Sequence, residues 1–329
     1  MARVVRFHEL GGPEVLRIEE ADIPLPAAGE VRIQVKALGL NRAEALLRSG
    51  TYIDAAPLPS GLGFEAAGLV DAVGEGVEGY AIGDAVSVVP APSMISWPAY
   101  GELANFPERL VVKHPSRLSW EQARALWMQY VTAYGALIDI ARLGSGDIFV
   151  ITAASSSVGL AAIQIANMVS AIPVAVSRTS AKKQALLDAG AAHVIASAEE
   201  DLGARLEDIA GRAGVRVVFD PVGGPAFGPL TAAMAPGGIL IEYGALSPEP
   251  TPFPLFDVLS KSLTLRGYLI HEIVRDAARL EAAKSFVLAG LANGALKPVI
   301  AATFPFEQIV EAHRFLESNE QFGKIIVTL

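Results

Sequence analysis

From Asp147 onward, short uninterrupted apolar runs alternate with amphipathic stretches. This alternation narrows the choice of fold more than any other feature of the chain. The apolar runs fall at Ile148–Thr152, Pro173–Ser177, Ala192–Ile195, Val215–Asp220 and Gly238–Tyr243, each of strand length. The intervening stretches, near 157–170, 180–190, 199–212 and 224–235, have the length and periodicity of helices. Strands apolar on both faces and separated by helices make a parallel sheet covered on both sides, so the spacing predicts a doubly wound α/β domain.

The flanking sequence reads differently. "RVVRFHEL", "EVLRIEEADI", "EVRIQVKALGL" and "AGLVDAVGEGV" are short alternating or apolar runs divided by Gly/Pro punctuation, as in a β-rich domain. Trp120, Ala123, Leu126, Trp127, Tyr130, Val131, Tyr134, Leu137 and Ile138 then recur at helical spacing. Beyond residue 265 the pattern gives a helix at 276–292, the strand "PVIAATFPF", a helix at 306–318 and the strand "GKIIVTL". The expectation is a β-rich domain of residues 1–122 and 266–329 into which residues 123–265 are inserted as a dinucleotide-binding domain. "SKSLTLRGYLI" (Ser260–Ile270) is expected as a strand at the sheet's far edge, with Leu263, Leu265 and Gly267 on its covered face. Self-pairing of that edge would give a homodimer.

Composition removes several classes of function. Over 329 residues the formal charge is −9 without a Lys/Arg cluster, which disfavours a nucleic-acid surface. No apolar run reaches the ~20 residues of a membrane span, and "MARVVRFHEL" lacks the apolar core of a signal peptide. The absence of cysteine excludes disulfides, thiolate nucleophiles and thiolate zinc sites, and is the expectation for a cytoplasmic protein. His8, His114, His193, His271 and His313 show no metal-ligand spacing and are expected at surface or structural positions.

The segment "DIFVITAASSSVGLAAIQIA" has the strand–turn–helix layout of a dinucleotide loop, but Ala154, Ser156 and Gly159 stand where three glycines are usual. A strand followed by a serine-capped helix explains the loop equally well when it is taken alone. Against that, Ser155, Ser156, Ser157, Val158 and the packing glycine Gly159 supply hydroxyl and N–H donors suited to phosphate. The second strand decides between the two. An NAD-selecting chain places an acid about 20 residues on, whereas "VAVSRTSAKK" offers Ser177, Arg178 and Lys182, which suit the doubly charged 2′-phosphate of NADPH.

As a set, "GLNRAEALLRSGTY", "LPSGLGFEAAGLVDAVGEGV", "GDAVSV", "AASSSVG" and "FDPVGG" resemble the medium-chain dehydrogenase/reductase superfamily, over essentially the whole chain. The resemblance is to its zinc-free quinone oxidoreductase (zeta-crystallin-like) branch. It implies a GroES-like catalytic domain carrying an inserted Rossmann domain. Zinc-dependent relatives have a cysteine near Asn41 or Arg42 and a histidine at Phe64, so that only Glu65 of "GHE" survives here. A reductase without a Lewis acid suits acceptors whose anion is delocalised, which are quinones and α,β-unsaturated carbonyls.

The resemblance further implies roles for single residues. Asn41 would bond the nicotinamide carboxamide or ribose, or donate to the developing oxyanion. Tyr52 would donate to the substrate oxygen or supply a proton. Thr132, Val222, Gly244, Ala245, Gly323 and Lys324 would border the cofactor. A tyrosine beside the 2′-phosphate in the family is Ser197 here, and a C-terminal arginine is Asn319. The apolar loop "PAPSMISWPAYGEL", through Met94, Ile95 and Trp97, is expected to wall the substrate site with Trp127 and Tyr130, or else to pack on its own domain or a second subunit. Competing readings are an enoyl-thioester reductase, which would need a basic groove, and an NADPH-binding sensor or structural protein with little turnover.

Overall fold

A computed structural model describes residues 1–113, 120 and 126–329. His114, Ala123 and the expected boundary at 122/123 lie outside the described residues. The chain divides into two compact units, Met1–Met128 with Pro298–Leu329, and Gln129–Lys297.

The first unit is β-rich, as its turn-punctuated sequence requires. β1 (Ala2–Phe7) pairs antiparallel with β2 (Leu16–Ala21) and with β4 (Ser60–Gly61). A larger sheet has its central path through β3 (Glu30–Gly39), β5 (Glu65–Val73), β6 (Ala85–Val88) and β8 (Val111–Lys113), with β7 (Leu103–Pro107) also paired to β3. The chain returns through β15 (Ile300–Pro305) and β16 (Lys324–Thr328); β16 lies between β15 and β3. Phe7, Ile33, Phe64, Phe106 and Phe306 fill the core. Helix α1 (Arg42–Ser49) follows β3 directly and ends at Gly50, whose φ of 78° supplies the left-handed C-cap.

The second unit is a six-stranded, all-parallel sheet. Its strands are β9 (Ile148–Ile151), β10 (Ile172–Ser177), β11 (His193–Ala196), β12 (Val215–Asp220), β13 (Met234–Glu242) and β14 (Thr264–Gly267). The spatial order β11-β10-β9-β12-β13-β14 reverses direction beside β9, the doubly wound arrangement that places ligands at the C-terminal strand ends. Val150, Val174, Val218 and Leu240 contribute one face of the core, against Leu206, Phe227 and Leu230 from the helices.

Three expectations need correction. The proposed edge strand Ser260–Ile270 is only the four residues of β14, because Leu255–Lys261 winds into a helix that stops at Ser262 in a left-handed conformation. That helix leaves Leu255, Phe256 and Leu259 exposed. The sheet unit also runs to Lys297 rather than 265. Helix Ala277–Ala292 packs on it through the Phe286–Tyr134 ring contact and the Arg279–Asp139 ion pair, anchors that lie far upstream in sequence. Finally, the left-handed residue of the dinucleotide turn is Ala153 (φ 46°), one place before the position assigned to the first glycine.

Candidate functional site

In the second unit, β9 ends in the loop Thr152–Ser156, which feeds helix Ser157–Met168. Ser156 Oγ accepts the Gly159 N–H at 3.0 Å and caps that helix. A Cβ on Gly159 would sit 2.5 Å from the Ala154 carbonyl oxygen, so glycine is needed there for helix and loop to approach. The N–H groups of the first helical turn have no partner within the helix and suit an anion. Lys182 reaches across from the segment after β10 and donates to Ser155 Oγ at 3.4 Å, which joins the two stretches singled out in the sequence. Arg178 is exposed and makes no ion pair among the described residues. Ser177 is buried with its hydroxyl donated to Thr179 O at 2.9 Å, and Ser197 Oγ donates to Ser177 O at 3.3 Å. The Glu199 carboxylate accepts the Ser180 N–H at 3.1 Å.

Asp220, at the end of β12, ties this loop to the next. Its Oδ1 accepts the Thr152 hydroxyl and the Val222 N–H (2.9 Å), and its Oδ2 accepts the Gly223 N–H (3.0 Å). Gly244 is close-packed, since a Cβ there would meet Pro221 O at 2.7 Å, and Ala245 beside it is exposed. Thr132 is buried on helix Trp127–Tyr134.

The first unit holds a buried polar cluster. Asn41 precedes α1, with its N–H bonded to Glu44 Oε2 at 2.7 Å. Its Oδ1 accepts from Lys324 Nζ at 2.6 Å, and its Nδ2 faces Gly39 O, Glu44 Oε1 and Glu65 Oε2 at 3.1, 3.1 and 3.3 Å. Lys324 Nζ also donates to Glu65 Oε2, and both side chains are 1% exposed. Glu65 Oε1 accepts the Met128 N–H at 2.8 Å. Glu44 accepts from the Phe64 N–H and the Tyr100 hydroxyl, and burial raises its carboxyl above the usual range. Gly323 delivers Lys324 from a φ of 104°, and a Cβ there would lie 2.4 Å from Val299 O.

Tyr52 stands apart, half-buried after α1. Its hydroxyl has no hydrogen bond among the described residues. Burial, then Asp54 and Glu44, push it up to about 12, so it stays protonated and is a poor proton source.

The residues named for the apolar wall are each engaged inside the protein, as in the alternative that the loop packs on its own domain. Met94 is 2% exposed, within the core. Trp97 donates its indole N–H to Glu30 Oε1 at 3.0 Å, and Ile95 lines a cavity of 420 Å³ with Val4, Val5 and Ile23 of the same unit. Trp127 is buried with its indole on Ser87 Oγ at 2.8 Å, and Tyr130 is buried with its hydroxyl on Gln164 at 2.8 Å. Each aromatic satisfies its polar atom internally, which the sequence pattern does not reveal. Sequence reasoning also missed Glu44, Tyr100, Thr152 and Asp220; the only signal for them was their place inside the quoted motifs or on a buried strand.

Comparison with known proteins agrees with this anatomy. Residues 27–116 match the alcohol dehydrogenase GroES-like domain, and residues 157–286 match the zinc-binding dehydrogenase family. The chain is 33% identical to quinone oxidoreductase 1 of Escherichia coli over 99% of both chains, and 31% identical to human quinone oxidoreductase over 100% of this chain and 98% of the other. The crystal structure of Escherichia coli quinone oxidoreductase complexed with NADPH superposes with a TM-score of 0.91 at 32% identity, covering 100% of both chains. A GroES-like unit, a parallel-sheet unit and full-length likeness at this identity together mean that the chain belongs to the quinone oxidoreductase family of the medium-chain dehydrogenase/reductase superfamily.

Proposed function

We propose that the protein is an NADPH-dependent reductase of quinones and α,β-unsaturated carbonyls that works without zinc. The observation that carries the cofactor assignment is the reach of Lys182 onto Ser155. It places a cation beside the phosphate loop, with Arg178 exposed next to it. Ser155, Ser156, Ser157, Val158 and Gly159 form the pyrophosphate cradle, and Ser177, Arg178 and Lys182 select the 2′-phosphate. Thr132, Val222, Gly244, Ala245, Gly323 and Lys324 are assigned to the rest of the cofactor site. When bound, NADPH supplies the hydride that the acceptor receives.

Zinc, implied by the matching family's description, does not fit the residues present. The chain has no cysteine, and among the described residues no group of three His, Cys, Asp or Glu side chains converges. At Asn41 and Glu65 a positive charge is already provided by the Lys324 ammonium. Asn41 is therefore assigned a positioning role: three acceptors already face its two amide hydrogens, so it has none to spare for a substrate oxyanion. Tyr52 is assigned as the hydrogen-bond donor to the acceptor oxygen, and water as the source of the proton at carbon.

NADPH and NADH consumption, measured with 1,2-naphthoquinone and with an enone, tests the assignment. Turnover with NADPH in preference to NADH is expected. Tight NADPH binding without turnover would replace the enzyme reading with that of a sensor. The proposal includes a cytoplasmic homodimer. Leu255, Phe256 and Leu259 (49, 83 and 67% exposed) on the helix before the unpaired edge of β14 support self-association, and a monomeric mass by light scattering at micromolar concentration would refute it. No helix among the described residues is long and apolar enough to cross a membrane.

A further inference from the structure

Asp220 and Glu242 are direct register partners on the parallel strands β12 and β13, so their side chains leave the same face of the sheet side by side. Both lie at the C-terminal strand ends, where the nucleotide loops begin. Asp220 is fully buried, and three of its roughly four lone-pair sites are filled by the Thr152 hydroxyl and the Val222 and Gly223 N–H groups. The remaining site is on Oδ2, which otherwise holds only Gly223. Glu242 has both oxygens buried outside regular hydrogen-bond geometry, with only the Gly244 N–H giving weak support to its charged form. Its Oε2 lies on the Gly223 side, 3.9 Å from where a Cβ on that glycine would be. A buried carboxylate with so little donation is costly, whereas the neutral acid needs only one acceptor.

We propose that Glu242 is held as the neutral acid, donates its hydrogen to Asp220 Oδ2, and thereby positions the two loops that receive the dinucleotide. One carboxylate then gathers the loop after β9 (Thr152), the turn after β12 (Val222, Gly223) and the end of β13 (Glu242), with all four lone pairs occupied. Burial, then Asp220, raise Glu242 to about 9, in keeping with this arrangement. No neighbouring cation competes for it. Arg266, which lines a 230 Å³ cavity with Glu242, is bonded to Glu272 at 2.5 Å. On helix Leu255–Lys261, Asp257 and Lys261 are paired with one another and with Thr231 and its carbonyl. Helix Phe227–Ala232 and the stretch 251–254 carry no titratable residue. Glu249, on the segment from β13, is exposed.

The binding arm of the test rests on the NADPH reading; a spectroscopic arm does not. NADPH affinity of the wild-type protein should hold constant up to about pH 9, where Glu242 ionises, and then weaken towards tenfold per pH unit. Glu242→Gln keeps a donor at every pH, so its affinity near pH 10 should stay within about threefold of its own neutral value. An alkaline loss equal in both proteins, or a loss of more than about tenfold in Glu242→Gln already at neutral pH, would overturn the proposal. Infrared spectra of the cofactor-free proteins at neutral pH should show a protonated-carboxyl C=O band in wild type that is missing from Glu242→Gln. Absence of the band in wild type would refute the shared proton whether or not NADPH binds.

Discussion

Replacing Lys324 by methionine tests the structural logic of the first unit most directly. The ammonium bonds Asn41 Oδ1 at 2.6 Å and Glu65 Oε2, and the Lys324–Glu65 pair is 1% exposed on both sides. Methionine fills most of the volume but leaves Glu65 as a buried charge, supported only by the Met128 N–H at 2.8 Å and the Asn41 amide at 3.3 Å. Removing one partner of a buried pair costs about 3–5 kcal/mol. At roughly 2–4 °C per kcal/mol for a unit of this size, melting of the first unit should fall by on the order of 10 °C. Glu65→Gln should cost a similar amount. The double variant Glu65→Gln/Lys324→Met leaves no unpaired charge, so it should recover on the order of 2 kcal/mol relative to the sum of the single losses. The measurement is denaturant and thermal unfolding of all four proteins, followed by circular dichroism. A single-variant loss under about 1 kcal/mol, or strict additivity in the double, would mean that the pair is not the charge-neutralising element described here.

Four further outcomes are expected. Arg178→Ala should weaken NADPH binding by about tenfold or more and leave NADH nearly unchanged, because a charge-assisted phosphate contact contributes roughly 1.5–3 kcal/mol; equal losses for both cofactors would refute the 2′-phosphate assignment. Asn41→Ala should lower kcat more than Tyr52→Phe does on a quinone, and the wild-type kcat profile should show no Tyr52 inflection below about pH 11, since its hydroxyl titrates near 12; wild-type rates in both variants would move the active site elsewhere. Gly159→Ala should destabilise the sheet unit by about 1–3 kcal/mol in urea melts, because the new methyl meets the Ala154 backbone. His313, buried with neither ring nitrogen bonded, is held down to about 3 by burial, then Arg48 and Arg42. The unfolded chain takes up this proton near pH 6.5 and the folded one does not. Stability due to this residue is therefore full above that pH and falls by about 1.4 kcal/mol per unit down to about 3, a slope that His313→Leu should remove.

The parallel sheet was legible because its strands are apolar on both faces. Val215–Asp220 was placed to the residue, and the other four differ only at their ends. The edge strand expected over Ser260–Ile270 is shorter at both ends, because Ser260 and Lys261 close the helix Leu255–Lys261 and only Thr264–Gly267 pairs with β13. The aromatics named for the substrate wall show what composition leaves out. Trp97, Trp127 and Tyr130 are apolar in sequence, yet each is fixed by one internal hydrogen bond to a residue 34 to 67 positions away. Asn41 and Lys324 are both named from the sequence, but their bond joins residues 283 positions apart, and no local pattern encodes such a pairing. Asp220 and Glu242 escaped notice because a carboxylate at a strand end looks solvated until the register shows what lies beside it.

The place of β16 inside the larger sheet has a consequence for the order of events during synthesis. The residues that occupy the slot between β15 and β3 are 324–328, and the last hydrogen bond of this return runs from the Leu329 N–H to Lys36 O at 3.0 Å. The parallel-sheet unit, by contrast, is continuous in sequence and has all its strands once Lys297 has been made. On a ribosome the second unit can therefore close first, while Ala37–Gly39 of β3 waits for its β16 partner and Glu65 has no counter-charge. The first unit becomes a finished sheet and an electrically neutral core at the same moment, when Lys324 arrives.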